Sequence, residues 1–174
     1  MTDVERRKLF NEIYAQFDRR ILAYCIYVTS DRDVANDVFQ EVFIKAYRSL
    51  HMLRESDKTA NWLFRIARNE CLNAMKSRQR SDRRHVDMEA PEAEFAQVAL
   101  SIESHADETE HLNWALSQLT SEYRDTLLLA EFEGFSMKEI SDMTGTSVSN
   151  VKVRIHRAKQ KLRTLLEPIL HDYE

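Results

Sequence analysis

Glycine and proline are scarce in this chain, with two of each among 174 residues. Runs of strand-like pattern are missing as well, and the two shortages together exclude a turn-rich β fold and point to an all-α protein. Cysteine occurs twice, at Cys25 and Cys71. Both fall within segments of helical periodicity and at no metal-ligand spacing, so buried free thiols are expected, with a redox switch as the alternative. No apolar run is long enough to cross a bilayer, so no membrane insertion is expected. The first ten residues, MTDVERRKLF, are charged and lack the apolar core of a signal peptide, which points to the cytoplasm. There is no phosphate-binding loop, no metal-ligand cluster and no motif that sets a nucleophile beside a base. The sequence therefore predicts neither catalysis nor a cofactor.

Apolar residues are plentiful, at 43%, enough for a packed core. The formal net charge of -4 conceals an uneven distribution. Residues 61–84 hold seven Lys or Arg against two acids, and residues 147–166 hold six against none. Between them, residues 85–110 hold eight acids and no Lys or Arg. Local basic zones of this kind bind a polyanion whatever the total charge.

Hydrophobic periodicity divides the chain into helices. Leu9, Ile13, Phe17, Ile21, Cys25 and Val28 mark one face of a first helix over about residues 4–28. Ser30 or Asp31 caps a second over roughly 32–50. Its stripe is Val34, Val38, Val42 and Ala46, widened by Phe39, Phe43 and Tyr47. After the polar connector HMLRESDKTAN, a third helix over about 61–78 turns Leu63, Ile66, Ala67, Cys71 and Ala74 inward. Short connections let these helices form one compact N-terminal domain. The acidic stretch, with Pro91 and a weak period around Phe95, Val98 and Ile102, reads as an extended linker that a short helix could interrupt.

Four shorter helices follow. One covers roughly 109–118, with Leu112, Ala115, Leu116 and Leu119 on a face. A second starts at a Thr120 or Ser121 cap and ends before Gly134. Ser136 and Glu139 make a capping box for the third, and Gly145 supplies the left-handed turn that ends it. The last begins at Thr146 or Ser147 and stops near Pro168. The expected fold is all-α: an N-terminal domain of three to four helices (1–84), an acidic linker (85–108) and a four-helix C-terminal domain (109–174).

The stretch FSMKEISDMTGTSVSNVKVRIHRAKQKLR has the plan of a helix-turn-helix, with Ile140 and Met143 set to pack on Val151 and Ile155. At about 100° per residue, Val151, Ile155, Ala158 and Leu162 share the buried stripe of the last helix. Ser149, Val153, His156 and Gln160 point the opposite way, flanked by Lys152, Arg157 and Arg163. Short side chains can meet base edges there while the cations meet phosphates. Arg154 lies nearer the core edge, which suits a phosphate contact or a structural role. A solvated basic helix on an ordinary bundle is the simpler alternative.

That stretch, with the preceding glycine, resembles the promoter-binding domain four of bacterial sigma factors of the extracytoplasmic-function group. DRDVANDVFQEVFIKAYRSL followed by WLFRIARNECLNAMK resembles domain two of the same group. The resemblance implies a non-enzymatic factor that binds core RNA polymerase, directs it to the −10 and −35 elements of promoter DNA and helps open the duplex. It implies contact of Asp37, Gln40 and Glu41 with the coiled coil of the polymerase β′ clamp, beside Phe39 and Phe43, which look exposed. It implies −10 recognition by the connector from Leu53 and by Lys58, Asn61, Trp62, Arg65, Asn69, Lys76 and Arg78. A tryptophan opening a helix is also a common core residue, so Trp62 has that second reading. It implies −35 recognition by Ser149, Asn150, Lys152, Val153, Arg154, His156 and Arg157, and attachment of the C-terminal domain to the polymerase β flap. An anti-sigma factor that holds the protein inactive is a further expected partner.

The sequence departs from the family pattern in three places. Thr59-Ala60-Asn61 stands where an aromatic often precedes WL, Asn73 stands for a frequent Asp, and Val153 for a common Ser. The acidic linker, in this setting, could mimic nucleic acid within polymerase or serve as a solvated tether. Two other functions compete. An operator-binding regulator independent of polymerase would share the helix-turn-helix but would need a dimer interface or effector pocket, and an all-α scaffold would need no nucleic acid.

Overall fold

The computed structural model describes residues 2–53, 58–82 and 106–171, and no strand occurs among them. The helices are α1 (Asp3–Thr29), α2 (Arg32–Ser49), α3 (Thr59–Asp82), α4 (Ala106–Ser117), α5 (Ser121–Leu127), α6 (Met137–Thr144) and α7 (Val148–His171). They fall into two compact units, Met1–Glu92 and Ala93–Glu174. The expected linker, with its periodic Phe95, Val98 and Ile102, lies outside the described residues apart from its end, where α4 already starts at Ala106.

In the first unit α1, α2 and α3 pack on one another. The α1 stripe is buried as its period predicts from Ile13 to Val28, but Tyr24 joins it. Tyr24 meets the fully buried Phe64 of α3 edge to face, with ring centroids 5.3 Å apart. Burial of a large apolar side chain is worth roughly 1.5–3 kcal/mol, so this pair anchors the α1–α3 seam. The α2 stripe is Ala35, Val38, Val42, Phe43 and Ala46, and Val34 lies at its margin. Ser30 and Asp31 divide the work between them. Ser30 closes α1 in the left-handed region at φ 54°. Asp31 opens α2 by accepting the Val34 amide at 3.0 Å.

In the second unit α4, α5 and α6 all pack on α7. Residues 124–129, Arg-Asp-Thr-Leu-Leu-Leu, are buried without a break, so α5 has no outer face beyond Tyr123. Arg124 is only 6% exposed, and burial lowers its pKa. Its Nη2 donates to the carbonyls of Ser117 at 3.0 Å and Leu119 at 2.9 Å, which otherwise end α4 unsatisfied. Beyond Leu127 the chain widens into one π-helical turn, Leu128–Phe132. The Glu133 amide there reaches back five residues to the Leu128 carbonyl at 3.1 Å.

The turn between α6 and α7 forms as its sequence dictates. Ser136 accepts the Glu139 amide and Glu139 returns to the Ser136 amide. Gly145 ends α6 at φ 67°, a conformation that costs other L-residues free energy. Ser147 caps α7 by accepting the Asn150 amide at 3.2 Å. The expected stop at Pro168 does not occur, because α7 continues to His171 with Pro168 inside it. A proline forfeits one hydrogen bond and crowds the carbonyl four residues back, which kinks a helix as readily as it ends one.

Candidate nucleic-acid interface

α7 separates its faces as the angular reading predicts. Val151, Ile155 and Ala158 are buried against α6 and its neighbours and Leu162, expected with them, is half-buried, while Ser149, Lys152, Val153, His156, Arg157, Gln160 and Arg163 are exposed. Val153 presents 45% of its surface in the middle of this face, an apolar spot among polar side chains. Asn150 also braces the turn, with its Nδ2 donating to Thr146 Oγ1 at 3.2 Å. Ser141 Oγ donates to the Thr146 carbonyl at 2.6 Å. These bonds fix the entry of α7, so its first turn holds a defined direction.

The six cations of α7 are not equivalent. Arg154 is half-buried and its Nη2 lies 3.2 Å from Glu122 of α5. Arg157 donates to the hydroxyl of Tyr123, also on α5, at 3.3 Å. Lys159 pairs with Glu131 at 2.8 Å, and Lys161 donates to the Gln118 carbonyl at 2.6 Å. Lys152 and Arg163 make no such bond among the described residues.

On α3 the predicted residues divide. At about 100° per residue, Asn61, Trp62, Arg65, Asn69 and Lys76 share one side. Arg65, Asn69 and Lys76 are exposed, and Asn61 and Trp62 half-buried at its margin. Lys58 is exposed just ahead of the helix. Arg78 lies elsewhere: it continues the buried Phe64–Ala67–Cys71 stripe and forms an ion pair with Asp31 at the α1–α2 junction. The connector residues 54–57 fall outside the described residues.

On α2, Asp37 and Gln40 are exposed and Glu41 half-buried. The apolar surface beside them is not the one expected. Phe43 is 5% exposed. It is enclosed by Phe39, Tyr14 and Phe10, with centroid separations of 5.0, 4.7 and 6.2 Å. The stripe of α2 is wide enough to draw Phe43 into the α1 contact, and the exposed apolar residue among the polar ones is Ile44, at 43%. Its spacing, three and four residues from Glu41 and Gln40, carried that signal. Lys45 links this face to α3, 2.7 Å from Glu70 and 3.7 Å from Glu41, and the Glu70 hydrogen bond raises its pKa.

Two family patterns match the chain in the order these faces occupy. Sigma-70 region 2 matches residues 13–81, and Sigma-70 region 4 matches residues 114–162. The RNA polymerase sigma-H factor of Pseudomonas aeruginosa is 33% identical over 175 residues, covering 95% of this chain and 90% of that protein. The ECF RNA polymerase sigma factor EcfG of Rhodopseudomonas palustris is 30% identical, covering 83% and 77%. Among solved structures, the sigma factor RpoE of Bartonella quintana, crystallised with the anti-sigma factor NepR, superposes with a TM-score of 0.75 at 25% identity, covering 92% and 98%.

These likenesses define a two-unit, all-helical transcription initiation factor. The chain belongs to the sigma-70 family of RNA polymerase sigma factors, in its extracytoplasmic-function group. Proteins of this family direct the polymerase to promoters and start transcription there. No helix among the described residues is long and apolar enough to cross a membrane.

Proposed function

We propose that the two units divide promoter recognition, with residues 1–84 serving polymerase and the −10 strand, residues 85–108 linking, and residues 109–174 serving the −35 duplex. The outward face of α2, Asp37, Gln40 and Glu41 around Ile44, docks on the β′ clamp coiled coil. An apolar centre with a polar rim suits a surface that forms and releases a complex. The exposed side of α3, with Lys58, Asn61, Trp62, Arg65, Asn69 and Lys76, follows the non-template strand. Single-strand capture needs cations for the backbone and a ring on which a base can stack, and half-buried Trp62 at the margin is the ring available. Arg78, already paired with Asp31, stiffens the base of that helix.

α7 enters the major groove at the −35 element. Val153 and His156 meet base edges with Ser149 and Asn150 near the backbone, while Lys152 and Arg157 supply positive charge beside them and Arg154 stands at the rim, paired with Glu122. The observation that carries this reading is the separation of α7 into a buried stripe and an opposite exposed face flanked by Lys152 and Arg157. Neither unit has to bind DNA tightly. Once both are attached to one polymerase, through the clamp and the β flap, the second contact forms at high effective concentration. The protein works in the cytoplasm, performs no catalysis itself and is held in reserve by an anti-sigma factor, a partner class with which the Bartonella quintana relative was crystallised.

Run-off transcription with core polymerase over a randomised promoter library tests the proposal. Enriched templates should share two separated elements, and the free protein should bind them weakly and with strong salt dependence. A tight, sequence-specific footprint without polymerase would instead identify an independent operator-binding regulator.

A further inference from the structure

The sequence offered no role for the first turn of α5, yet two of its consecutive residues reach two cations of α7 one turn apart. Glu122 meets Arg154 and Tyr123 meets Arg157. The angular positions of the two arginines differ: Arg157 stands next to the outward face, and Arg154 stands about 60° closer to the core. Arg154 shows 21% of its side chain and Glu122 shows 64%. The pair therefore sits at the rim of the groove-facing surface, with the carboxylate outermost.

We infer that the first turn of α5 sorts these cations, with Tyr123 presenting Arg157 to a phosphate and Glu122 withholding Arg154 from one. The inference rests on the reading of α7 as the −35 helix. Tyr123 accepts one N–H of Arg157 at 3.3 Å, which tethers the guanidinium beside the outward face and leaves its other N–H donors for a phosphate. The phenolic hydrogen stays available, so the hydroxyl and the guanidinium form a two-donor clip for a single phosphate. A bare carboxylate beside such a clip would repel the DNA backbone. Arg154 cancels that charge, and Glu122 in turn keeps Arg154 from adding a phosphate contact that carries no sequence information. On this account Tyr123 positions a DNA contact, and Glu122 limits indiscriminate affinity.

The test measures binding of the full-length protein with core polymerase to two duplexes across a salt series. One carries the −35 element recovered from the library, and the other has that element scrambled. Tyr123→Phe keeps the ring and removes only the hydroxyl. It should weaken binding to the −35 duplex about three- to tenfold, and its cost should be clearly smaller in the Arg157→Gln background than in the parent. Glu122→Gln should tighten binding to both duplexes several-fold and steepen the salt slope by about 0.9. That gain should vanish in Glu122→Gln with Arg154→Gln. Because Glu122 is exposed and both changes preserve shape, thermal melts should match the parent.

Multiplicative losses from Tyr123→Phe and Arg157→Gln would overturn the inference. So would a Glu122→Gln gain that is absent or that survives removal of Arg154. The underlying reading has its own control: if Arg157→Gln and Lys152→Gln leave the preference for the −35 duplex intact, α7 is not the reading helix.

Discussion

The two basic helices, α3 and α7, carry similar charge in different mechanical settings. On the exposed side of α3, Arg65, Asn69 and Lys76 make no side-chain bond among the described residues. On α7, four of six cations are bonded to α5, to the π-helical turn or to Gln118 just after α4. The difference matches the two tasks proposed for them. A flipped or single-stranded base adapts to a protein surface, and unbound cations can follow its backbone. Duplex base edges sit in a fixed groove, so the helix that reads them must hold its register to a fraction of an ångström.

The largest test of this contrast removes the anchor of one unit and leaves the other untouched. Phe64→Ala should cost about 3–5 kcal/mol and unfold α1–α3 at lower urea, while near-ultraviolet dichroism of Trp114 in the second unit, read in a Trp62→Phe background, stays on its original curve. A single shared transition would show that the units do not fold separately. Next in size is Arg124→Ala, which leaves the Ser117 and Leu119 carbonyls without their donor. A loss of about 2 kcal/mol is expected for the second unit, read as a lower urea midpoint with the first unit unaffected.

At the reading face itself, Arg157→Gln and Lys152→Gln should each weaken −35-dependent transcription. The effect should lie within the roughly 1–3 kcal/mol of a good base or phosphate partner, and removing one cation from a phosphate should flatten the salt slope by about 0.9. An equal decline on promoters without a −35 element would mean that neither cation acts there.

Asp31 gives a smaller, pH-dependent effect on the first unit. Burial alone would raise its pKa, but the Val34 amide and the Arg78 guanidinium outweigh burial and leave it lowered. A lowered carboxylate stabilises the fold above the unfolded value of about 3.9 and ceases to do so as the pH falls through the folded value. Asp31→Ala should therefore cost about 1 kcal/mol as a missing cap at pH 7, and progressively less as the medium is acidified below about pH 4. An equal penalty at neutral pH and well below the folded value would rule out the ionised cap as its source. Least of all, Lys138→Ala on α6 breaks an exposed pair with Asp142 and should change stability by no more than about 0.5 kcal/mol.

The α7 face was legible in the sequence because one element decides it. A capping box, a glycine and a 3.6-residue period leave a single way to turn that helix. The α3 side was legible in part: Arg78 is exposed, as its chemistry suggests, yet it lies in line with the buried stripe and not with Arg65, Asn69 and Lys76. Its partner, Asp31, is distant in sequence, and no local pattern announces such a pair. Phe43 departs from expectation for a related reason: α1 supplies Phe10 and Tyr14 to cover it, a choice made by packing rather than periodicity. The buried run 124–129 hides its arginine and aspartate inside a helix that lacks amphipathic contrast, and its π-helical turn has no recognisable sequence signature.

That widened turn ahead of the reading motif has a consequence for how the C-terminal unit tolerates change. Its one surplus residue rotates everything downstream by about 100° and advances it by about 1.5 Å relative to an unbroken α-helix. Excising Ala130 would restore regular winding and move Phe132, half of whose surface lies in solvent, into the register of Glu131. Every later element would then be led off in a different direction. Sequence length at this point acts as an angular setting, and a protein one residue shorter would keep every side chain of the α7 outer face while aiming that face elsewhere.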